Sequence, residues 1–183
     1  MVDSEIKSEK SYFSGTVRTL KEEDLTQLKP ILDIWIKDRE TGQRLPDEVE
    51  EDLQLMRESI NGGNDRNYLV AEKNGKVIGM IGFKNPDKRM IPFSRTSNPT
   101  ELVNAYVDPE LRKGRGVGKA LVAKLEGDAG KKGFTEVILN SGPRYKDTGW
   151  GFYDKLPGYE RVGVAEKYYG EGGDAPVWSK VLS

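Results

Sequence analysis

The stretch AYVDPELRKGRGVGKALV, from Ala105 to Val122, decides how the rest of the chain is read. It opens as the end of an apolar strand, ELVNAYV from Glu101 to Val107, and breaks at Asp108-Pro109. Three glycines then alternate with basic residues, and a helical apolar pattern begins at once. The first amides of a helix have no partner within it and point outward along its axis. The helix dipole adds positive potential at the same end. Glycines at 114, 116 and 118 let the backbone approach an anion without Cβ interference. Arg112, Lys113, Arg115 and Lys119 put cations beside those amides. A pyrophosphate is the natural guest of such a loop. A glycine-rich turn that merely joins strand to helix is the alternative.

Two familiar phosphate loops do not fit. A P-loop needs Gly five residues before Gly118 and Ser or Thr after Lys119; the chain has Lys113 and Ala120 there. A dinucleotide fingerprint, G-x-G-x-x-G, meets Lys119 when counted from Gly114 and Leu121 when counted from Gly116. An NTP-binding protein is therefore disfavoured.

Composition narrows the chemistry further. The 183 residues suit one domain with a real core, and 36% hydrophobic against 32% charged residues describe a globular protein. The net charge of −1 leaves no footprint for nucleic acid, so the cations near Lys113 are a local feature. There is no Cys and no His, so disulfides, thiolate nucleophiles, imidazole bases and the usual metal sites are excluded. Acid–base work falls to Asp, Glu, Tyr, Lys, backbone or water. The polar N-terminus has no signal-peptide core and no stretch approaches a membrane span, which makes the cytoplasm the default location.

Outward from the loop, the elements alternate in type. Residues 1–13 read as a loose tail and 14–183 as the domain. TVRTL at Thr16–Leu20 reads as a strand, and Leu25, Leu28, Leu32, Trp35 and Ile36 define one face of a first helix. Pro46 starts a second helix, with Val49, Leu53, Met56 and Ile60 at helical spacing. Asn74-Gly75 between two apolar runs signals a hairpin. The polar, proline-rich segment Lys84–Thr100 is expected to be a functional or mobile loop, or else a tolerated surface insertion. A helix follows the glycine loop, then a strand at Phe134–Asn140, a short helix near WGFYDKL and two final strands. The order is strand, two helices, three strands, helix, strand, helix, two strands: a mixed α/β domain.

On these residues the chain resembles the GNAT superfamily of N-acetyltransferases. Lys113-Gly114-Arg115-Gly116-Val117-Gly118 is similar to that family's acetyl-coenzyme-A motif, with Lys113 in the usual Gln/Arg slot and Arg112 just before it. Val107-Asp108-Pro109-Glu110 supplies the family's V-x-P-E context, and GFYDKLPGYERVG is similar to its FYxKxGF segment. Lys146 and Gly149 occupy slots where the family often has Asn and a small residue. The resemblance implies a mixed, mostly antiparallel sheet splayed between two central parallel strands and flanked by helices.

It also implies a reaction: transfer of an acetyl group from acetyl-CoA to an amine by direct attack, without a metal. Arg112, Lys113, Gly114, Arg115, Gly116, Val117, Gly118 and Lys119 would hold the diphosphate. The backbone of Ala105, Tyr106 and Val107 would run beside the pantetheine. Tyr153 would protonate the leaving sulfur, or else is a packed aromatic. Glu101 is the candidate base, or else a solvated acid at a strand start. Asp33, Asp38 and Glu40 would draw in a cationic acceptor, or else are surface charges. The leading acceptor is a small-molecule amine, with no nucleic acid or membrane partner; a protein or peptide amine, and a non-catalytic acyl-CoA-binding module, stay open. So does a homodimer.

Overall fold

The computed structural model describes residues 13–112 and 115–183. Most of the expected tail, Lys113 and Gly114 therefore lie outside the described residues. Phe13, the last residue assigned to the tail, packs against the core.

Asn74 and Gly75 both have positive φ, 54° and 75°, and reverse the chain between β2 (Asn67–Lys73) and β3 (Lys76–Lys84). Their left-handed backbone matches the twist of the flanking strands, which is why this pair makes a tight hairpin. β1 (Thr16–Thr19) pairs antiparallel with β2, and β3 with β4 (Pro99–Val107). Seven strands form one sheet in the order β1-β2-β3-β4-β5-β7-β6, with β5 at Glu136–Asn140, β6 at Glu160–Ala165 and β7 at Ala175–Val181. Only β4 and β5 are parallel.

Both faces of β2 and β3 are covered. Side chains alternate across a strand, so Leu69 and Ala71 face α3 (Val117–Lys131) while Tyr68 and Val70 face α1 (Asp24–Trp35) and α2 (Pro46–Ile60). Val49, Leu53 and Met56 of α2 and Leu25, Leu28 and Leu32 of α1 are buried there, on the faces their spacing predicts. α4 is a single turn, Gly151–Tyr153.

The segment between β3 and β4 is not free. Met90 is fully buried with Ile138, Ala165 and Val177, on the face of β5, β7 and β6 that no helix covers. The carboxylate of Glu136 gathers the rest. It accepts from Ser94 Oγ at 2.6 Å, from the amides of Arg95 and Thr96 at 2.9 Å, and from Ser179 Oγ. The loop takes the place of a helix.

β4 and β5 pair only over Pro99–Glu101 and Glu136–Ile138, and then part. The cause lies in β4. Gly82 is opposite Val103 but Met80 is opposite Tyr106, so β4 takes three steps where β3 takes two. Asn104, at φ 51°, is in the bulge. A bulge bends its strand and increases the local twist. Past Glu101, β4 therefore leads away from β5, and a cleft opens between them.

Candidate active site

The cleft holds about 1450 Å³ and runs from the N-terminus of α3, along β4, to the turns after β5 and α1. One end gathers unpaired helix-start amides and cations. Gly116 takes the left-handed conformation, φ 70°, and its carbonyl accepts the first helical hydrogen bond from the Ala120 amide at 2.9 Å. The amides of Val117, Gly118 and Lys119 precede that bond and have no partner in the helix. Gly118 meets the ring of Phe152: a Cβ there would stand 3.0 Å from Cζ. The glycine thus lets α4 pack onto the start of α3.

Arg112 completes this end. Its guanidinium lies 5.2 Å from the Trp35 ring centroid, and its Nη1 is buried with no hydrogen-bond partner among the described residues. Trp35 is itself fixed, its Nε1 donating to the Val107 carbonyl at 2.8 Å. A buried cationic donor left unsatisfied costs at least about 1–3 kcal/mol; a phosphate oxygen would relieve it. The arrangement fits a diphosphate. Arg115 and Lys119 are exposed beside it.

Midway, Tyr153 lines the cleft, packed between Phe152 (5.4 Å between centroids) and Trp178 (5.3 Å). Burial pushes its phenol well above the ordinary range, so it stays protonated and able to donate. Glu101 also reaches the cleft, at the last paired residue of β4. Its side chain is only 4% exposed and already engaged: Oε2 accepts from Lys84 Nζ at 3.0 Å and from the Asp87 amide at 2.7 Å.

The far end carries carboxylates and is bridged across the splay. Arg144, after β5, holds Glu48 of α2 through two hydrogen bonds of 2.8 and 3.1 Å. Tyr106 and Tyr145 share a hydrogen bond of 3.1 Å, and burial raises both phenols. Arg39 donates to the Gly172 carbonyl at 3.0 Å, tying the turn after α1 to the turn between β6 and β7. Asp38 and Glu40 line this end; Asp33 does not. Nor does any residue from Asn85 to Asn98, so the polar loop between β3 and β4 lies outside the cleft lining, held by Met90 and Glu136. Gly149 lines the cleft, whereas the Lys146 ammonium lies near the Trp150 ring.

Sequence reasoning missed Asp52 and Asn104. Asp52 of α2 lines the cleft, and its Oδ2 accepts from Asn104 Nδ2 at 3.0 Å. The signals were there: Asp52 follows Val49 by three and precedes Met56 by four, on the apolar face of α2. Asn104 is the one amide within ELVNAYV.

The chain belongs to the acetyltransferase (GNAT) family, whose model matches residues 28–159, and is thus an acyltransferase. Over 75 residues it is 36% identical to N-acetyltransferase 8 of Homo sapiens, which covers 41% of this chain and 31% of that protein. The chain therefore spans under a third of that relative's length. Among solved structures, a GNAT-family acetyltransferase from Desulfovibrio desulfuricans superposes with a TM-score of 0.71 at 18% identity, covering 93% of this chain and 100% of that one. The PaiA N-acetyltransferase of Thermoplasma acidophilum, in complex with coenzyme A, gives 0.64 at 23% identity over 93% and 100%. At such identities the likeness is one of fold. It includes the splayed sheet that the resemblance implied.

Proposed function

We propose that this acetyltransferase moves an acetyl group from acetyl-CoA to the primary amine of a small cytoplasmic molecule, both substrates being bound together. One observation carries the reading. A single cleft joins an anion-receiving end, where Nη1 of Arg112 is buried without a partner among the described residues, to a carboxylate-lined end across the β4–β5 splay.

In this reading the amides of Val117–Lys119 and the side chain of Arg112 hold the diphosphate. Arg115 and Lys119 add charge, and Gly116 and Gly118 keep the backbone bare. Ala105, Tyr106 and Val107 lie on the part of β4 that has lost its β5 partner, so an amide arm can add there as a strand does. The Val107 carbonyl is taken by Trp35, which leaves the free strand groups before it. Acetyl-CoA supplies an acyl group on a thioester. Tyr153, which lines the cleft, gives the leaving sulfur its proton in this reading. Glu101, neutralised by Lys84, stands at the vertex as a candidate proton acceptor.

The bridges Glu48–Arg144, Tyr106–Tyr145 and Arg39–Gly172 narrow the acceptor end, which favours a small amine over an extended peptide. The carboxylates favour a cationic one. Coenzyme A titration and a mixed-amine acetylation assay read by mass spectrometry test the reading together. Binding of coenzyme A with acetylation of small amines is expected. No affinity for coenzyme A overturns it; acetylation of peptides alone moves the acceptor to protein.

A further inference from the structure

Asp52 is placed where no packing role accounts for it. It sits on the apolar side of α2 beside buried Val49 and Met56, yet it borders the open cleft. Its partner is Asn104, the residue that makes the bulge, so Asp52 is one side chain away from the strand that would carry the pantetheine. The amide of Asn104 is oriented from behind. Tyr68 Oη donates to Asn104 Oδ1 at 3.3 Å, and Arg66 Nη1 donates to Tyr68 Oη at 3.3 Å. With its oxygen facing Tyr68, Asn104 must turn its NH₂ to Asp52. Tyr68 reaches that far because Gly82, directly opposite, has no side chain; a Cβ there would be 2.6 Å from the Tyr68 ring. Arg66, Tyr68, Gly82, Asn104 and Asp52 form one connected device ending on a carboxylate in the cleft.

Glu101 differs in kind. Its charge is already met by a half-buried lysine and a backbone amide. Asp52 has no ion pair among the described residues: Asn104 is a neutral donor, and Arg66 acts on it only as a nearby charge while its Nη1 donates to Tyr68 Oη. A half-buried carboxylate with no directly paired cation is expensive unless a cationic ligand joins it.

We infer that Asp52, oriented by Asn104 at the β4 bulge, receives the acceptor's ammonium group and removes the proton that blocks its attack. This rests on the proposed acetyl transfer and names its base. An alkylammonium, with a pKa of about 10 like that of Lys, must shed a proton before its nitrogen is a nucleophile. Asp52 takes that proton. The freed lone pair forms the N–C bond to the acyl carbon as the C–S bond breaks. The sulfur leaves with the proton of Tyr153, which regains the second proton lost by the nitrogen. Asp52 then releases its own to water. The products are a neutral amide, a thiol and one proton.

The surroundings of Asp52 suit a base. Glu48 and Glu51 on its own helix, Arg66 and Tyr68 at β2, Asn104 and Tyr106 on β4, and Arg144 beyond β5 face it or its neighbours. Burial, opposed by the Asn104 hydrogen bond and reinforced by Glu48, lifts its carboxyl to about 6. It is charged at neutral pH and basic enough to accept a proton.

The test is Asp52→Asn beside Glu101→Gln, in the full chain. Coenzyme A titration reports on the fold and on the parent reading. With coenzyme A bound, the carboxyl signal that Asp52→Asn removes from the ¹³C spectrum should titrate near 6, and n-butylammonium should lower its midpoint. With any amine turned over, Asp52→Asn should cut kcat/KM by about a hundredfold or more and abolish the acidic limb of the pH profile. Glu101→Gln should keep that limb. A butylammonium-insensitive Asp52, or an acidic limb that survives in Asp52→Asn, overturns the inference while leaving acetyl transfer intact. Loss of coenzyme A affinity in the parent protein overturns both.

Discussion

The ring of Phe152 occupies the space that a side chain on Gly118 would need, with Cζ 3.0 Å from the missing Cβ. That contact joins the two segments most distinctive in the sequence, the glycine loop and the FY turn, at the mouth of one cleft. Gly118→Ala should push Phe152 outward and disturb both. We expect a loss of about 1–3 kcal/mol in stability, as for other overpacked sites, and weaker binding of coenzyme A. Thermal melting and titration calorimetry check this; an unchanged variant would mean that α4 yields freely.

Arg112 is expected to matter for the cofactor. Arg112→Leu keeps bulk over Trp35 but removes a guanidinium whose Nη1 is buried without a partner among the described residues. Coenzyme A should bind about 10- to 100-fold more weakly, the worth of one or two charge-assisted hydrogen bonds. The melting temperature of the free protein should hold or rise. Equal affinity in variant and parent would place the diphosphate elsewhere.

Tyr153→Phe removes only a hydroxyl from a packed ring. Turnover should fall about a hundredfold, the low end for a proton donor, and coenzyme A affinity should stay within twofold or so. Since burial raises the phenol, no alkaline limb from Tyr153 should appear in the usual assay range. Full turnover in Tyr153→Phe would leave the leaving sulfur to water.

Asp52 should carry a stability penalty. Its carboxyl is raised to about 6 in the fold from an ordinary 3.8. Between those values the unfolded chain is ionised while the folded one is protonated, so stability falls as pH rises through the window and stays lower above it. Asp52→Asn should therefore melt a few degrees higher than the parent at pH 7–8, with the gap closing toward pH 4. Equal melting at pH 7–8 would place Asp52 in an ordinary carboxylate environment.

Glu136 has the opposite sign. Burial would raise its carboxyl, yet donors from Ser179, Ser94, Arg95 and Thr96 hold it below the usual 4.5. Its stabilisation is present above that value and is lost as pH falls through the depressed one. Glu136→Ala should destabilise by about 2–4 kcal/mol, since several donors lose their acceptor. Hydrogen exchange should quicken in the segment from Asn85 to Asn98 while coenzyme A affinity is kept. Slow exchange there in Glu136→Ala would assign the segment's order to Met90 alone.

Much of the architecture was legible in order along the chain. α2 begins at Pro46 and ends at Ile60, and the Asn74-Gly75 turn falls where it was expected. The helix start at Gly116, with its unpaired amides, could be stated from the glycines and the apolar pattern that follows. These features are local. A helix start, a tight turn and an apolar stripe are each fixed by residues within a few positions of one another.

What folding in three dimensions decided was which distant residues meet. Nothing near Glu101 in the chain says that Lys84 neutralises it, and nothing near Asp52 says that Asn104 will meet it across 52 positions. The polar segment from Lys84 to Thr100 read as a functional or mobile loop, or else as a surface insertion. Yet Met90 and the donors to Glu136 fasten it against β5, β6 and β7, outside the cleft lining. The splay itself depends on one residue, Asn104, whose left-handed φ matters only against the register of β3. Periodicity and turn chemistry act over neighbours and survive in a string of letters. A carboxylate's charge state and a strand's bend depend on partners brought together by packing, and those exist only once the chain has closed on itself.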